Sequence, residues 1–216
     1  MTRGKLLARI AAPVLMAAPV ALGTVLGTVV STPVAAQATG PGYKFLDAIR
    51  KRDGAEVDKA LGPTGSSIVI NTQDITSGET ALHIVTARRD IDWLRFLIAR
   101  GADANKANNQ GVRPLGIAAG LGWTEGAAIL IGGGARVDDP GAAGETALIA
   151  AVHLRDIELV RLLLKSGANP LRADNSGRSA KDYADLLGGE SAIAAEIAAA
   201  SKTAATRKKQ TYGPSF

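Results

Sequence analysis

Gly78-Glu79-Thr80-Ala81-Leu82-His83 and Gly144-Glu145-Thr146-Ala147-Leu148-Ile149 repeat the run G-E-T-A-L across one 216-residue chain. Gly111-Val112-Arg113-Pro114-Leu115-Gly116 lies midway between them, and Gly177-Arg178-Ser179-Ala180-Lys181-Asp182 follows at the same interval. Gly78, Gly111, Gly144 and Gly177 therefore stand 33 residues apart, as do Gly101, Gly134 and Gly167. Two glycine series locked in phase mark a stack of like units. Thr80, Thr146 and Ser179 sit where a side-chain oxygen can accept from the first unpaired amides of a helix. Pro114 occupies the first-turn slot, where a missing N–H costs nothing. This predicts a short helix, a tight turn and a second, Leu-rich amphipathic helix over 91–100, 123–131 and 157–165. Each second helix ends in Gly-Ala, because a terminating residue at positive φ favours glycine. A polar hairpin then leads to the next pair.

The pattern resembles the ankyrin repeat, which runs G-x-T-P-L-H-x-A-A, a short loop, a Leu-rich helix and G-A-D-x-N. The resemblance covers roughly 44–200. It implies an all-α solenoid of stacked helix-turn-helix units with β-hairpin-like fingers and degenerate capping repeats, since one helix pair cannot bury its own apolar face. The expected divisions are a capping repeat with an irregular finger at 39–75, full repeats at 76–108, 109–141 and 142–174, a second capping repeat at 175–200, and a flexible basic tail at 201–216. Phe45, Leu46, Ala48, Ile49, Val57, Ala60 and Leu61 supply the core of the first cap. Tyr183, Leu186, Ile193 and Ile197 mark the apolar pattern of the last.

Charge separates the body from the ends. The chain carries a formal +5. Arg3, Lys5 and Arg9 lie in residues 1–38 without an acid, and Lys202, Arg207, Lys208 and Lys209 lie in 201–216 without one, which leaves residues 39–200 at −2. A positively charged body of the kind that binds nucleic acid is excluded. No charge occurs between Arg9 and Lys44, and residues 10–30 are almost wholly Ala, Val, Leu, Ile and Gly. With Ala36-Gln37-Ala38 at its exit, this segment reads as a signal peptide cleaved after Ala38, with Ala36 as the alternative site. A periplasmic or secreted protein is expected. The competing reading keeps residues 10–30 as a membrane anchor that holds the repeats at the periplasmic face.

The residues offer little chemistry. The absence of cysteine removes disulfides, thiolate nucleophiles and thiolate metal sites, and two histidines do not make a zinc site. Gly120-Leu121-Gly122 and Gly126 imitate a dinucleotide loop, but no buried strand precedes them, so they read as turn glycines. Gly132-Gly133-Gly134 reads as a frayed helix end, and Asp138-Asp139 as a solvated turn pair. No catalytic, cofactor or metal residue is assigned. An unrecognised hydrolase or small-molecule binder is the rival class, and it calls for a deep polar pocket.

By resemblance, His83 hydrogen-bonds within and between fingers. A partner protein, bound by a monomer, is gripped by fingertips and by the ends of the first helices. Carried over by position, the contact set is Arg88, Asn109, Gln110, Leu121, Trp123, His153, Leu154, Arg155 and Arg178. Thr76, Ser77, Glu79, Val112, Ala142, Ala143, Glu145, Asn175 and Ser176 are the further fingertip residues. Leu121 and Leu154, flanked by Arg88, Trp123 and Arg155, have the composition of a binding hot spot, with packing between neighbouring turns as the alternative.

Overall fold

The side-chain oxygens singled out above do cap helices. In the computed structural model, Thr146 accepts from the Ile149 amide at 3.3 Å and Ser179 from the Asp182 amide at 3.3 Å, while Pro114 opens its helix. The second helices are capped by aspartates: Asp53, Asp90 and Asp156 accept from Glu56, Trp93 and Leu159. The structure describes residues 40–62, 67–188 and 191–211, with side chains described up to Thr203. The signal segment and its cleavage sites lie outside these residues.

Helices α1 (Pro41–Lys51) and α2 (Gly54–Leu61) form the first pair, and α3 (Ser67–Ile70) packs against both. The full repeats are α4 (Ala81–Ala87) with α5 (Ile91–Ala99), α6 (Pro114–Gly120) with α7 (Thr124–Gly132), and α8 (Ala147–His153) with α9 (Ile157–Lys165). The last pair is α10 (Ala180–Asp185) and α11 (Ala192–Thr211). The helices make two layers. The first helices pack in the order α1, α4, α6, α8, α10, and the second in the order α5, α7, α9, α11.

The core follows the 33-residue period. Leu97, Leu130 and Leu163 are fully buried, as are Leu94, Ala127 and Val160 one turn earlier. The central repeat is thin at this level, with Gly126 where its neighbours have Trp93 and Leu159. Trp123 compensates. It replaces the capping aspartate at the N-terminus of α7 and lays its ring over Gly126, where a Cβ would fall 2.2 Å from ring atom Cε3. Gly126 therefore accommodates a ring inside α7 and does not shape the turn, as the sequence reading had it. The turn residue is Gly122, at φ 60°.

The fingers close by backbone bonds, such as Asp74 N–H to Glu79 O at 2.8 Å and Asn108 N–H to Val112 O at 2.9 Å. Neighbouring fingers then stack. The Asn109 amide donates to Ser77 O at 3.0 Å, and its side chain donates to Thr76 O at 2.9 Å. The Asn175 amide likewise donates to Ala143 O at 3.0 Å. This is possible because Gly78 and Gly144 have no side chain. A Cβ on either would lie 2.4 and 2.5 Å from the Oδ1 of Asn109 and Asn175.

Two further expectations need correction. Asp138 and Asp139 are not a solvated pair: Asp138 accepts from the Asn169 amide at 2.8 Å, and Asp139 meets Arg113 at 3.2 Å and Arg136 at 2.8 Å. The structure also places no boundary at residue 200. Helix α11 continues to Thr211, and Ser201 is buried with its hydroxyl on Ile197 O at 2.7 Å. An alanine-rich stretch extends a formed helix cheaply, and lysines and arginines near a helix C-terminus oppose its dipole.

Candidate functional site

His83 is the best-defined polar residue of the finger layer. The Thr80 N–H can only donate, so the Nδ1 atom 3.1 Å away accepts, and the Nε2 proton is left for Val112 O at 2.9 Å in the next finger. The ring thus joins its own repeat to the following one as a neutral tautomer. Burial lowers its pKa below the ordinary 6.5. A depressed folded-state pKa means that the unfolded chain takes up the proton first, so this contribution is present above pH 6.5 and is lost as pH falls below it. Urea unfolding at pH 7.5 and 5.5 should show a loss of stability on acidification that is smaller in His83→Gln. An equal loss in both proteins would sink this assignment.

The residues carried over as partner contacts divide into two groups, and the first belongs to the scaffold. Arg88 donates from Nη1 to Ile49 O at 2.7 Å, closing the C-terminus of α1, and lies 3.5 Å from Asp90. Arg89 donates to Leu121 O from the same turn. The two arginines thereby fasten three consecutive turns, with Arg88 as the tie to the first pair. Asn109, although exposed, is hydrogen-bonded to the neighbouring finger, and Trp123, half-buried, covers Gly126.

The second group is open to solvent. Gln110 and Arg155 are exposed, the latter in a left-handed turn at φ 55°. Leu121 and Leu154 are 37% and 48% exposed at successive turns. Leu154 reaches across the turn, its Cδ1 lying 3.6 Å from where a Cβ on Gly122 would be. His153 is exposed, with Nδ1 3.1 Å from Glu145 Oε1 and its ring edge-on to Tyr183 at 4.5 Å. Arg178 lies over the other partner of that contact, 5.9 Å from the Tyr183 ring centre. Tyr183 OH donates to Asp174 at 2.8 Å, and hydrogen bonds from Ser176 and Tyr183 bring the Asp174 pKa down to about 2.

His153 and Leu154 also border a cavity of about 310 Å³ between α6 and α8. Gly116, Gly120 and Ala150 line it, together with Val112, Ala142 and Glu145. Gly116 and Gly120 were missed as site residues. Alignment in register reveals them: position 116 corresponds to His83 and Ile149, and position 120 to Ala87 and His153. A second hollow of about 340 Å³ lies between α2 and α5, against Trp93 and Phe96. There Arg100 already covers Phe96 at 4.7 Å and pairs with Asp58 at 3.4 Å. Among the described residues, no three His, Asp or Glu side chains gather as a metal site.

The family description of the ankyrin repeat matches residues 77–109 and 143–175. The chain is an ankyrin-repeat protein. It is 41% identical over 111 residues to an ankyrin repeat-containing protein of Treponema pallidum, a stretch covering 51% of this chain and 37% of that relative. It is 33% identical over 101 residues to transient receptor potential cation channel subfamily A member 1 of Homo sapiens, covering 46% of this chain and 9% of the channel. It is 37% identical over 99 residues to the nuclear factor NF-kappa-B p105 subunit of Gallus gallus, covering 45% of this chain and 10% of that subunit. The ankyrin-repeat unit between the two matched stretches, 110–142, is the one that carries Gly116, Gly120, Trp123 and Gly126.

Proposed function

We propose that this ankyrin-repeat protein is an exported scaffold that binds a partner protein through the groove formed by its first helices and fingers, without chemistry of its own. Ankyrin repeats indicate a protein-interaction scaffold in general. The observation that carries the reading here is the pair Leu121 and Leu154. Two large apolar side chains stand in water at successive turns, beside the cavity between α6 and α8. Apolar residues grouped in this way on a water-soluble surface commonly mark an interface. The cavity offers one Glu–His pair and Thr146, whose hydroxyl caps α8, among glycine, alanine, valine and leucine, and this supports binding over hydrolysis.

Leu121→Asp combined with Leu154→Asp should abolish in-cell cross-linking to a partner. Because both side chains are partly exposed, the double variant should keep its helical circular dichroism and lose no more than about 1 kcal/mol of stability. Unfolding of the double variant would show that these leucines belong to the core, and unchanged cross-linking would show that the groove is not the interface.

Export rests on the basic, apolar and small-residue pattern of residues 1–38. N-terminal sequencing of protein from the soluble exported fraction should begin at Thr39, or at Gln37 for cleavage after Ala36. An intact Met1 in the membrane fraction would favour the anchored arrangement.

A further inference from the structure

Helix α6 spans seven residues and carries glycine at both positions 116 and 120. The fold requires neither. A Cβ on Gly116 would meet Val112 Cγ1 at an ordinary 3.8 Å, and one on Gly120 would meet nothing within 4 Å. Neither residue has the positive φ seen at the turn glycines. Alanine at either place would favour the helix, so what these glycines supply is empty space. The sister repeats fill the same positions with His83 and Ile149, and with Ala87 and His153.

The space has a definite chemistry. Glu145 and His153 are the ionisable groups that line it, 3.1 Å apart. A carboxylate only accepts, so the proton of the neutral imidazole is on Nδ1, and Nε2 is left as an acceptor. Together the pair offers acceptors and one negative charge, beside the apolar side chains of Val112 and Leu154. Arg113 and Arg136, which border a smaller hollow with Glu145, are committed to Asp139. The repeat body as a whole carries −2. A donor-rich cation on an apolar stem matches this lining, with methylenes against the walls and the charged head on the carboxylate.

We infer that this cavity receives one arginine or lysine side chain from an extended segment of the partner protein. The inference rests on the reading of the groove as a protein-binding surface, and it specifies what that surface selects.

The test is a nuclear magnetic resonance titration of the purified chain with the N-acetyl N-methylamides of arginine, lysine and norleucine. The arginine or lysine derivative should move the Gly116, Gly120 and Glu145 amide signals saturably in the millimolar range, with the norleucine derivative at least tenfold weaker. The relative strength of the first two tells guanidinium from ammonium. Glu145→Gln should weaken the cationic ligand at least tenfold. Gly116→Ala should weaken it while raising the thermal midpoint by about 2–4 °C, because alanine is the better helix former. Norleucine binding equally well, binding that survives Glu145→Gln, or no saturable shift with any derivative overturns the inference. Those outcomes leave the groove reading standing if the Leu121 and Leu154 double variant still abolishes cross-linking. Cationic binding without any groove-dependent cross-link overturns the interface reading on which the inference rests.

Discussion

Replacing Leu130 with alanine lowers the unfolding free energy by about 2–5 kcal/mol, the range for removing a large buried aliphatic side chain. Leu130 is fully buried between Leu97 and Leu163, its counterparts one period away on each side. Its helix is already thin, with Gly126 and Ala127 at the preceding core level, so few side chains can move in to fill the void. The loss is large against the roughly 5–15 kcal/mol that holds a domain of this kind together. It also falls at the middle of a stack in which each unit contacts only its neighbours. Weakening both interfaces of the central repeat should therefore broaden the urea transition and lower its midpoint, as the two halves begin to unfold separately. Circular dichroism of Leu130→Ala across a urea series checks this. A loss under about 1 kcal/mol would mean that the surrounding helices collapse onto the cavity, and that α7 does not hold the stack together.

Gly144→Ala should cost about 2–3 kcal/mol, and Gly111→Ala only about 1 kcal/mol. Both glycines have φ 77°, so a side chain strains the backbone equally at either position. They differ in their surroundings. A Cβ on Gly144 would lie 2.5 Å from Asn175 Oδ1 and 2.8 Å from the Asn175 amide nitrogen, whereas one on Gly111 would meet nothing within 4 Å. The difference between the two variants thus isolates the contact between neighbouring fingers. Loss of the Asn175 N–H bond to Ala143 O would accompany it, and amide hydrogen exchange at Asn175 should speed up in Gly144→Ala alone. Equal costs for the two substitutions would show that the fingers separate freely and add nothing to stability.

The period was legible because the left-handed backbone region is nearly free only to glycine, so the residue type reports the dihedral directly. Gly101, Gly134 and Gly167, at φ 82°, 88° and 94°, announce the ends of the second helices in this way. Arg52, Arg89 and Arg155 adopt the same region at φ 59°, 53° and 55°, yet nothing in an arginine side chain signals it. The groove residues were legible in part. Leu121, Leu154, His153 and Arg178 fall on the open face where the resemblance implies. Gly116 went unnoticed, and Gly120, the last residue of α6, was read as a turn glycine, because a missing side chain becomes a feature only when its neighbours in space are known.

The sequence alone determined the repeat length, the alternation of short and Leu-rich helices, and therefore the register that brings Leu97, Leu130 and Leu163 into one row. These follow from local rules, namely which residues cap, which terminate and which avoid water, and each unit restates them. Tertiary structure decided which polar residues remain available. Arg88 and Asn109 look equally free in the chain, but each is held by a residue of another unit: Arg88 on the Ile49 carbonyl, Asn109 on the Ser77 and Thr76 carbonyls. Every residue carries a carbonyl, so such partners have no signature in the sequence. Only the stacking of one repeat on the next shows which side chains it uses and which it leaves exposed.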